Sequence, residues 1–392
     1  MDKSLFSHKS PGFLVPIKID EKNSDWSFVP NPLPDKFNLD EETWHLLLKA
    51  KEELARLDGV GRHLPNQELL LRPLQQREAL TSSSLEGTYA SPEQLLLYGI
   101  DPREPSSDKD PVNSWREVFN YGRALMQGRQ QIDEGYPLSL ALVRQLHQSL
   151  LDGVRGSDRT PGEFRKTQVH IGSTRRFIPP PPIEVSRCLD EFEKHLAIES
   201  NIDPLVRCFL LHYQFETIHP FNDGNGRVGR LLLSLMIYKW CGLHSPWLYL
   251  SAYFERYKDE YINYLFNIST KADWGTWIKF CLRATEAQSI DSIRRIDSLV
   301  ALRQDFHERT NALNGAARLH PIVENLFAQP LVMISQLART YNVTYPTASS
   351  DILNLVNVGI LKELPDTYPK TFFSPEIMRI AYRGIDEPEY LP

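Results

Sequence analysis

Cysteine is scarce in this 392-residue chain: Cys188, Cys208, Cys241 and Cys281 are the only four. No two of them stand at metal-ligand or redox spacing, so they read as free, mostly buried thiols of a reducing cytoplasm. Long apolar runs are missing too. The most apolar stretch, Leu231 to Trp240, is broken by Ser234 and Lys239 and falls far short of the ~20 residues a membrane-spanning helix needs. Met1 to Asp20 shows no basic region followed by an apolar run, so no secretory signal is read. Positive charge is not in excess. A formal net charge of −6 argues against a chain that coats nucleic acid or an anionic membrane. Long repeats and low-complexity tracts are also absent. What is left is a membrane-free, cytoplasmic globular protein of ordinary composition, 41% hydrophobic and 24% charged. At roughly 100–200 residues per domain, its length suits two or three domains.

The first 40 or so residues are rich in proline and read as an extended, irregular arm. Helical signal starts at Asp40, a natural N-cap, with Leu46, Leu47, Ala50 and Leu54 at helical spacing. A second helix is expected from Pro65 to Leu80, followed by a polar end that Gly87 stops. Asp101 to Pro111 reads as a linker. Amphipathic helices are expected at Asn113–Gln131, Leu138–Leu151, Ile183–Glu199 and Pro204–Thr217. Between them, Gln168 to Phe177 is short and β-prone, with Gly172-Ser173 as a turn. It reads as a β-hairpin ended by Pro179 to Pro182. Near the C-terminus, Ile334 to Leu355 reads as a helix-turn-helix with Ser335 as cap, Asn342-Val343 as turn and a second helix from Thr347 to Leu355. A hairpin turning at Asp366 to Lys370 follows, and the sum describes a winged helix.

One segment concentrates the chemistry. Gly224, Gly226 and Gly229 lie close together, with Asn225 between the first two, and a strongly apolar helix runs from about Val228 to Trp240. Glycines let a ligand approach the main chain. A loop feeding a helix N-terminus offers free backbone N–H groups to bound phosphate. Arg227 and Arg230 share a helix face and suit a polyphosphate. Asp223 offers the hard oxygen that Mg²⁺ prefers. His219, at the mouth of the loop, is of the type that most often acts as general base near neutral pH. His212, inside an apolar helix, reads instead as a packed or hydrogen-bonded core histidine.

The run His219-Pro220-Phe221-Asn222-Asp223-Gly224-Asn225-Gly226-Arg227-Val228-Gly229-Arg230 resembles the signature of the Fic family, His-x-Phe-x-(Asp/Glu)-Gly-Asn-Gly-Arg-x-x-Arg, at every defined position. Gly162-Glu163-Phe164-Arg165 and the hairpin look like that family's flap region, with Val169, His170, Ile171, Gly172, Ser173 and Thr174 as target-binding residues. Trp274 and Trp277 look like its closing helix. The resemblance implies ATP as substrate and Mg²⁺ held by Asp223. His219 would act as base, and Gly224 through Gly229 with Arg230 and Tyr261 would contact the nucleotide. Ser82-Ser83-Ser84-Leu85-Glu86-Gly87 is similar to the family's inhibitory motif, (Ser/Thr)-x-x-x-Glu-(Gly/Asn), which implies that Ser82, Glu86 and Gly87 form a brake in which Glu86 pairs with Arg230.

The expected architecture is mainly α. Residues 1–110 form an N-terminal arm and helices, 111–305 a Fic-type core with a small β-hairpin flap, and 306–392 a winged-helix-like domain. The expected activity is transfer of AMP from ATP to a Ser, Thr or Tyr hydroxyl of a target protein, with self-modification as a side activity. Removal of AMP, or transfer of another phosphate-containing group, stays open on the same loop. A homodimer is left open. From Pro321 to Pro392 there are five basic and eight acidic residues, and no Arg or Lys between Thr344 and Leu355. That favours protein docking or dimerisation over DNA binding, while a nucleotide-sensing regulator that binds DNA remains the rival of another class.

Overall fold

A computed structural model of the chain describes residues 1–18, 24–64, 66–154, 160–172, 175–311, 313 and 316–384. It opens with a 3-10 turn (Lys3–Leu5) and an antiparallel hairpin, β1 (Gly12–Lys18) and β2 (Ser24–Pro30), in which Gly12 faces Pro30 and Lys18 faces Ser24. This corrects the irregular arm expected there. The prolines that suggested it are harmless in a two-stranded ribbon, where every strand has an edge: Pro16 sits on one, opposite Trp26, and Pro30 ends the other.

Helix α1 (Glu41–Arg62) starts where Asp40 accepts the Thr43 N–H at 2.7 Å. Its buried stripe of Leu47, Ala50, Leu54 and Leu57 packs along the later helix α11 (Trp274–Asn311). Helix α2 (Gln67–Leu85) does not stop at Leu80 but runs through the serines. Tertiary bonds override their weak helix propensity. Lys258 donates to the Leu85 carbonyl at 2.7 Å, Arg230 to the Ser82 carbonyl at 2.8 Å, and the Ser84 hydroxyl to Glu255. Glu86 is the C-cap, and Gly87, at φ +82°, turns the chain away. Helix α3 (Pro92–Ile100), unexpected from the sequence, begins with a capping box between Ser91 and Gln94.

The helices α4 (Val112–Asp133), α5 (Leu140–Leu150), α6 (Pro182–Ala197), α7 (Pro204–Ile218) and α8 (Asn225–Trp240) follow, then α9 (Ser251–Arg256) and α10 (Lys258–Lys271). Every residue of α8 from Asn225 to Ile237 is buried, against α2, α4, α5 and α7. The glycine-rich loop therefore opens inside the molecule. Of the hairpin expected at 168–177, the described residues show one antiparallel bridge, Ile171 with Phe177. A short isolated ladder is marginal, and this segment is held at its stem instead. Gln168 and Ser27 both donate to the Pro179 carbonyl, at 3.0 and 2.6 Å.

Helix α11 runs unbroken across position 305, and α12 (Ala316–Ala328) packs on α11 and α2. Then come β3 (Leu331–Met333), α13 (Ile334–Thr340), α14 (Tyr345–Asn357), β4 (Lys362–Leu364), β5 (Thr371–Phe373) and α15 (Pro375–Tyr382), with sheet order β3-β5-β4. This succession is consistent with a winged helix. Ser335 is not the cap: β3 runs straight into α13, whose N-cap, Met333, has no side-chain bond. Thr344 caps α14, so that helix starts at Tyr345 rather than Thr347. Asn342, at φ +50°, makes the turn. One hydrophobic core runs from Val29 to Ile377. Among the described residues, no helix is long and apolar enough to cross a membrane.

Candidate active site

Helix α7 ends at His219, whose left-handed backbone (φ +50°) costs about 1 kcal/mol or more. Arg165 holds this turn. Its buried guanidinium donates to the carbonyls of His219 (2.8 Å), Pro180 (2.6 Å), Thr167 (3.1 Å) and Ile218 (3.3 Å), and its backbone N–H to Pro220 (2.8 Å). Burial brings the Arg165 pKa down to about 10, and it stays charged. The loop closes on itself: the Phe221 N–H donates to the Asn225 amide oxygen and the Asn225 NH₂ to the Phe221 carbonyl, both at 2.8 Å. Phe221 stacks on His147 at 3.7 Å. The Gly162 N–H donates to His147 Nδ1 (2.8 Å), so Nε2 carries the proton and donates to the Asp223 carbonyl (3.0 Å). Burial keeps His147 neutral, at about 4.

Gly224, at φ +74°, is the N-cap of α8 and has no capping side chain. The first intrahelical bond is from Val228 N–H to Gly224 O, which leaves the amides of Asn225, Gly226 and Arg227 aimed off the helix end. Two glycines clear space for carboxylates. A Cβ at Gly226 would lie 2.0 Å from Glu86 Oε1, and one at Gly229 would lie 2.2 Å from Glu216 Oε1.

The motif at the end of α2 meets this helix. Arg230 donates through Nε to the Ser82 hydroxyl (2.9 Å), and through Nη2 to the Ser82 carbonyl and to Glu86 Oε1 (both 2.8 Å). The Arg230 side chain is only 3% exposed, while Glu86, deep in the molecule, keeps 39% of its side chain bare because it faces a cavity. Burial raises the Glu86 pKa, but Arg230 outweighs it and leaves the group below its usual value. Burial works against the charge on Arg230, and the Glu86 carboxylate beside it more than offsets that cost.

That cavity, of about 380 Å³, has a polar floor of Glu86, Glu216, His219, Gly226, Arg230 and Tyr261. The rest of the lining is mostly apolar, with Ile171, Phe177, Ile262, Leu265 and Phe266, and carries Arg176, whose guanidinium lies 4.2 Å from the centre of the Phe266 ring. His219 bonds through Nδ1 to the Glu216 carbonyl at 3.3 Å, which leaves Nε2 for the cavity. Burial pulls His219 down to about 4 against the attraction of Glu86, so near neutral pH it is an unprotonated base. His212 donates to the Gly229 carbonyl (3.2 Å) and so accepts the Tyr261 hydroxyl at Nε2 (2.9 Å), which makes it the bonded core histidine expected.

Not every candidate reaches the cavity. Arg227 turns away from it, to the buried carboxylate of Glu117 at 2.9 Å and to Asp223 at 3.7 Å. The expectation of two guanidinium forks at one place is corrected accordingly: Glu117 on α4 claims the first. Asn225 and Val228 are buried in the loop and helix, and Asp223 is 32% exposed outside the cavity lining. In the flap, Ile171 and Gly172 line the cavity, Val169 and His170 do not, and Ser173 and Thr174 lie outside the described residues. Trp277 is buried and donates to the Phe209 carbonyl at 3.0 Å. The sequence reading missed Arg165 as the clamp, His147, Glu117 and Glu216. Each works through tertiary placement, and none carries a local signal beyond being a titratable residue in a helix or loop.

The fold thus brings a glycine-rich helix N-terminus to an internal cavity, beside a half-buried histidine and a carboxylate-paired arginine. Residues 44–130 match the Fic/DOC family N-terminal region and residues 137–237 the Fic/DOC family itself. The chain thus carries a Fic/DOC family N-terminal region followed by a Fic/DOC family domain. A probable protein adenylyltransferase of Aquifex aeolicus is 30% identical over 151 residues, covering 37% of this chain and 44% of the relative. Protein adenylyltransferase Fic of Culex quinquefasciatus is 30% identical over 255 residues, covering 64% of this chain and 47% of that protein. The chain thus spans less than half the length of either curated relative. In fold it is similar to a Fic family protein from Desulfovibrio desulfuricans (TM-score 0.53, 20% identity, 86% of this chain and 97% of that one). It is also similar to Fic-1 from C. elegans (TM-score 0.53, 22% identity, 67% and 74%).

Proposed function

We propose that this chain transfers AMP from ATP to a hydroxyl of a protein side chain, releases pyrophosphate, and is held in check by Glu86. The observation that carries the reading is the meeting of His219, Arg230 and Glu86 on the floor of one cavity. His219 Nε2 would take the proton of a Ser, Thr or Tyr hydroxyl. The oxygen then forms a bond to the α-phosphorus as the bond to the β-phosphate oxygen breaks. The loop amides and Arg230 would hold the phosphates, so catalysis is mainly positioning and charge stabilisation. Asp223 presents one part-exposed carboxylate, a donor set that suits Mg²⁺ arriving with phosphate oxygens and water; when bound, the ion would neutralise phosphate charge. While Glu86 holds the Arg230 guanidinium, that guanidinium is closed to the terminal phosphate. The flap residues would hold the target segment beside the cavity, and self-modification is the expected side activity.

The reading is tested by incubating the Glu86→Gly variant with Mg²⁺ and ATP labelled at either the α- or the γ-phosphate. Label on protein is expected from the α-position only. Label from the γ-position would mean a kinase-like reaction and would sink the proposal.

A further inference from the structure

Phe6 and Phe28 lie outside both matched regions, yet they stand behind the ring-lined end of the cavity. Phe177 and Phe266 line that end, 6.4 Å apart between centroids. Behind them, the fully buried Phe28 of β2 lies 5.7 Å from Phe177. Phe6 lies 5.5 Å from Phe28 and 6.2 Å from Phe266. The four rings close a circuit, two facing the cavity and two supplied from the N-terminal segment. Polar bonds fix it in place. Ser7 N–H donates to Thr270 O at 2.8 Å, and the Ser10 hydroxyl to Ser269 O at 2.6 Å. Phe28 N–H donates to Ile178 O at 2.9 Å, at the stem of the flap. A Cβ at Gly12 would fall 2.5 Å from the tip of the Phe28 ring, so β1 carries a glycine where that ring needs space.

We infer that Phe6 and Phe28 are positioning residues for the base of the bound nucleotide, setting the width of the slot between Phe177, Phe266 and the flap. This inference rests on the adenylyl-transfer reading of the cavity. A flat heteroaromatic base in a slot lined by rings and by the Arg176 guanidinium is held by stacking and dispersion, and a gap of roughly 0.5–1 Å forfeits a quarter to a half of a dispersion contact. The phosphate end is built from α8 and its loop, so it should not feel a change at Phe6 or Phe28.

The test places Phe28→Leu and, separately, Phe6→Ala in the Glu86→Gly protein. It measures kcat and KM for ATP, the inhibition constant of inorganic tripolyphosphate, and the thermal midpoint. The expected result is a KM for ATP raised on the order of tenfold, kcat within about twofold, and an unchanged tripolyphosphate constant. The half-buried Phe6 keeps the test alive if Phe28→Leu does not fold. Joint weakening of ATP and tripolyphosphate would show general loosening and overturn the inference, as would an unchanged KM in both variants. A Glu86→Gly parent that transfers nothing from ATP would instead overturn the adenylyl-transfer reading, and this inference with it.

Discussion

Replacing Glu86 by Ala should cost stability and improve anion binding at once. The Arg230 side chain is 3% exposed and Glu86 39%, so the pair lies between two regimes. Breaking a fully buried pair costs about 3–5 kcal/mol, and an exposed one contributes about 0–1 kcal/mol. Ser82 still supplies two hydrogen bonds to the guanidinium. A loss of about 1–2 kcal/mol follows, roughly 1–2 °C in thermal midpoint for a chain of this size. The freed Arg230 then needs an anion. In the variant, tripolyphosphate at a hundredfold excess over its Kd should return about 2.7 kcal/mol. In the wild type it must first displace Glu86, which weakens its apparent affinity about 5–30-fold. Thermal unfolding against tripolyphosphate concentration should therefore show the variant starting lower and rising more steeply. Parallel curves for the two proteins would refute the pairing as a competitor for anions.

Gly226→Ala places a Cβ 2.0 Å from Glu86 Oε1 and 2.9 Å from Arg230 Nη1; it should expel the Glu86 carboxylate and also weaken nucleotide binding, read as a low kcat/KM that Glu86→Gly does not rescue. Arg165→Ala strands four carbonyls and frees the strained His219 turn, so about 3 kcal/mol of stability and most activity should be lost, measured by denaturant unfolding and labelling. Burial raises Glu216 to about 8, Arg230 opposing and Glu86 adding. The folded state thus keeps a proton that the unfolded chain releases above its ordinary 4.5, and this group's contribution falls as pH rises through that window; Glu216→Gln should gain on wild type by up to a few kcal/mol between about pH 5 and about pH 8, read by unfolding at each pH. His219 runs the other way. With a folded pKa of about 4 against 6.5, it erodes stability as pH falls through that range, a dependence His219→Ala should remove.

What was legible in the sequence follows the range of the interactions. The loop from His219 to Arg230 is contiguous, and its closure by Asn225 on Phe221 spans four residues, so its shape could be read locally. The meeting of Glu86 with Arg230 spans 144 positions and was legible only through resemblance to a known motif. Proline content hides the N-terminal hairpin, because prolines suggest irregularity where edge strands in fact tolerate them. The serine-rich end of α2 is helical because Arg230, Lys258 and Glu255 bind it, partners that no local pattern announces. Glu117 draws Arg227 off the cavity from another helix, and Arg165 clamps the histidine turn through backbone carbonyls, which leave no trace in side-chain chemistry.

The central claim is that one cavity contains both the base and its brake. The most direct measurement is the initial rate of protein labelling from α-labelled ATP with Mg²⁺, for wild type, Glu86→Gly and Glu86→Gly/His219→Ala side by side. The account predicts a slow wild type, a much faster Glu86→Gly, and a double variant reduced by at least the ~10²–10⁴-fold that a general base supplies. A Glu86→Gly rate no higher than wild type, or a double variant as fast as its parent, would contradict it.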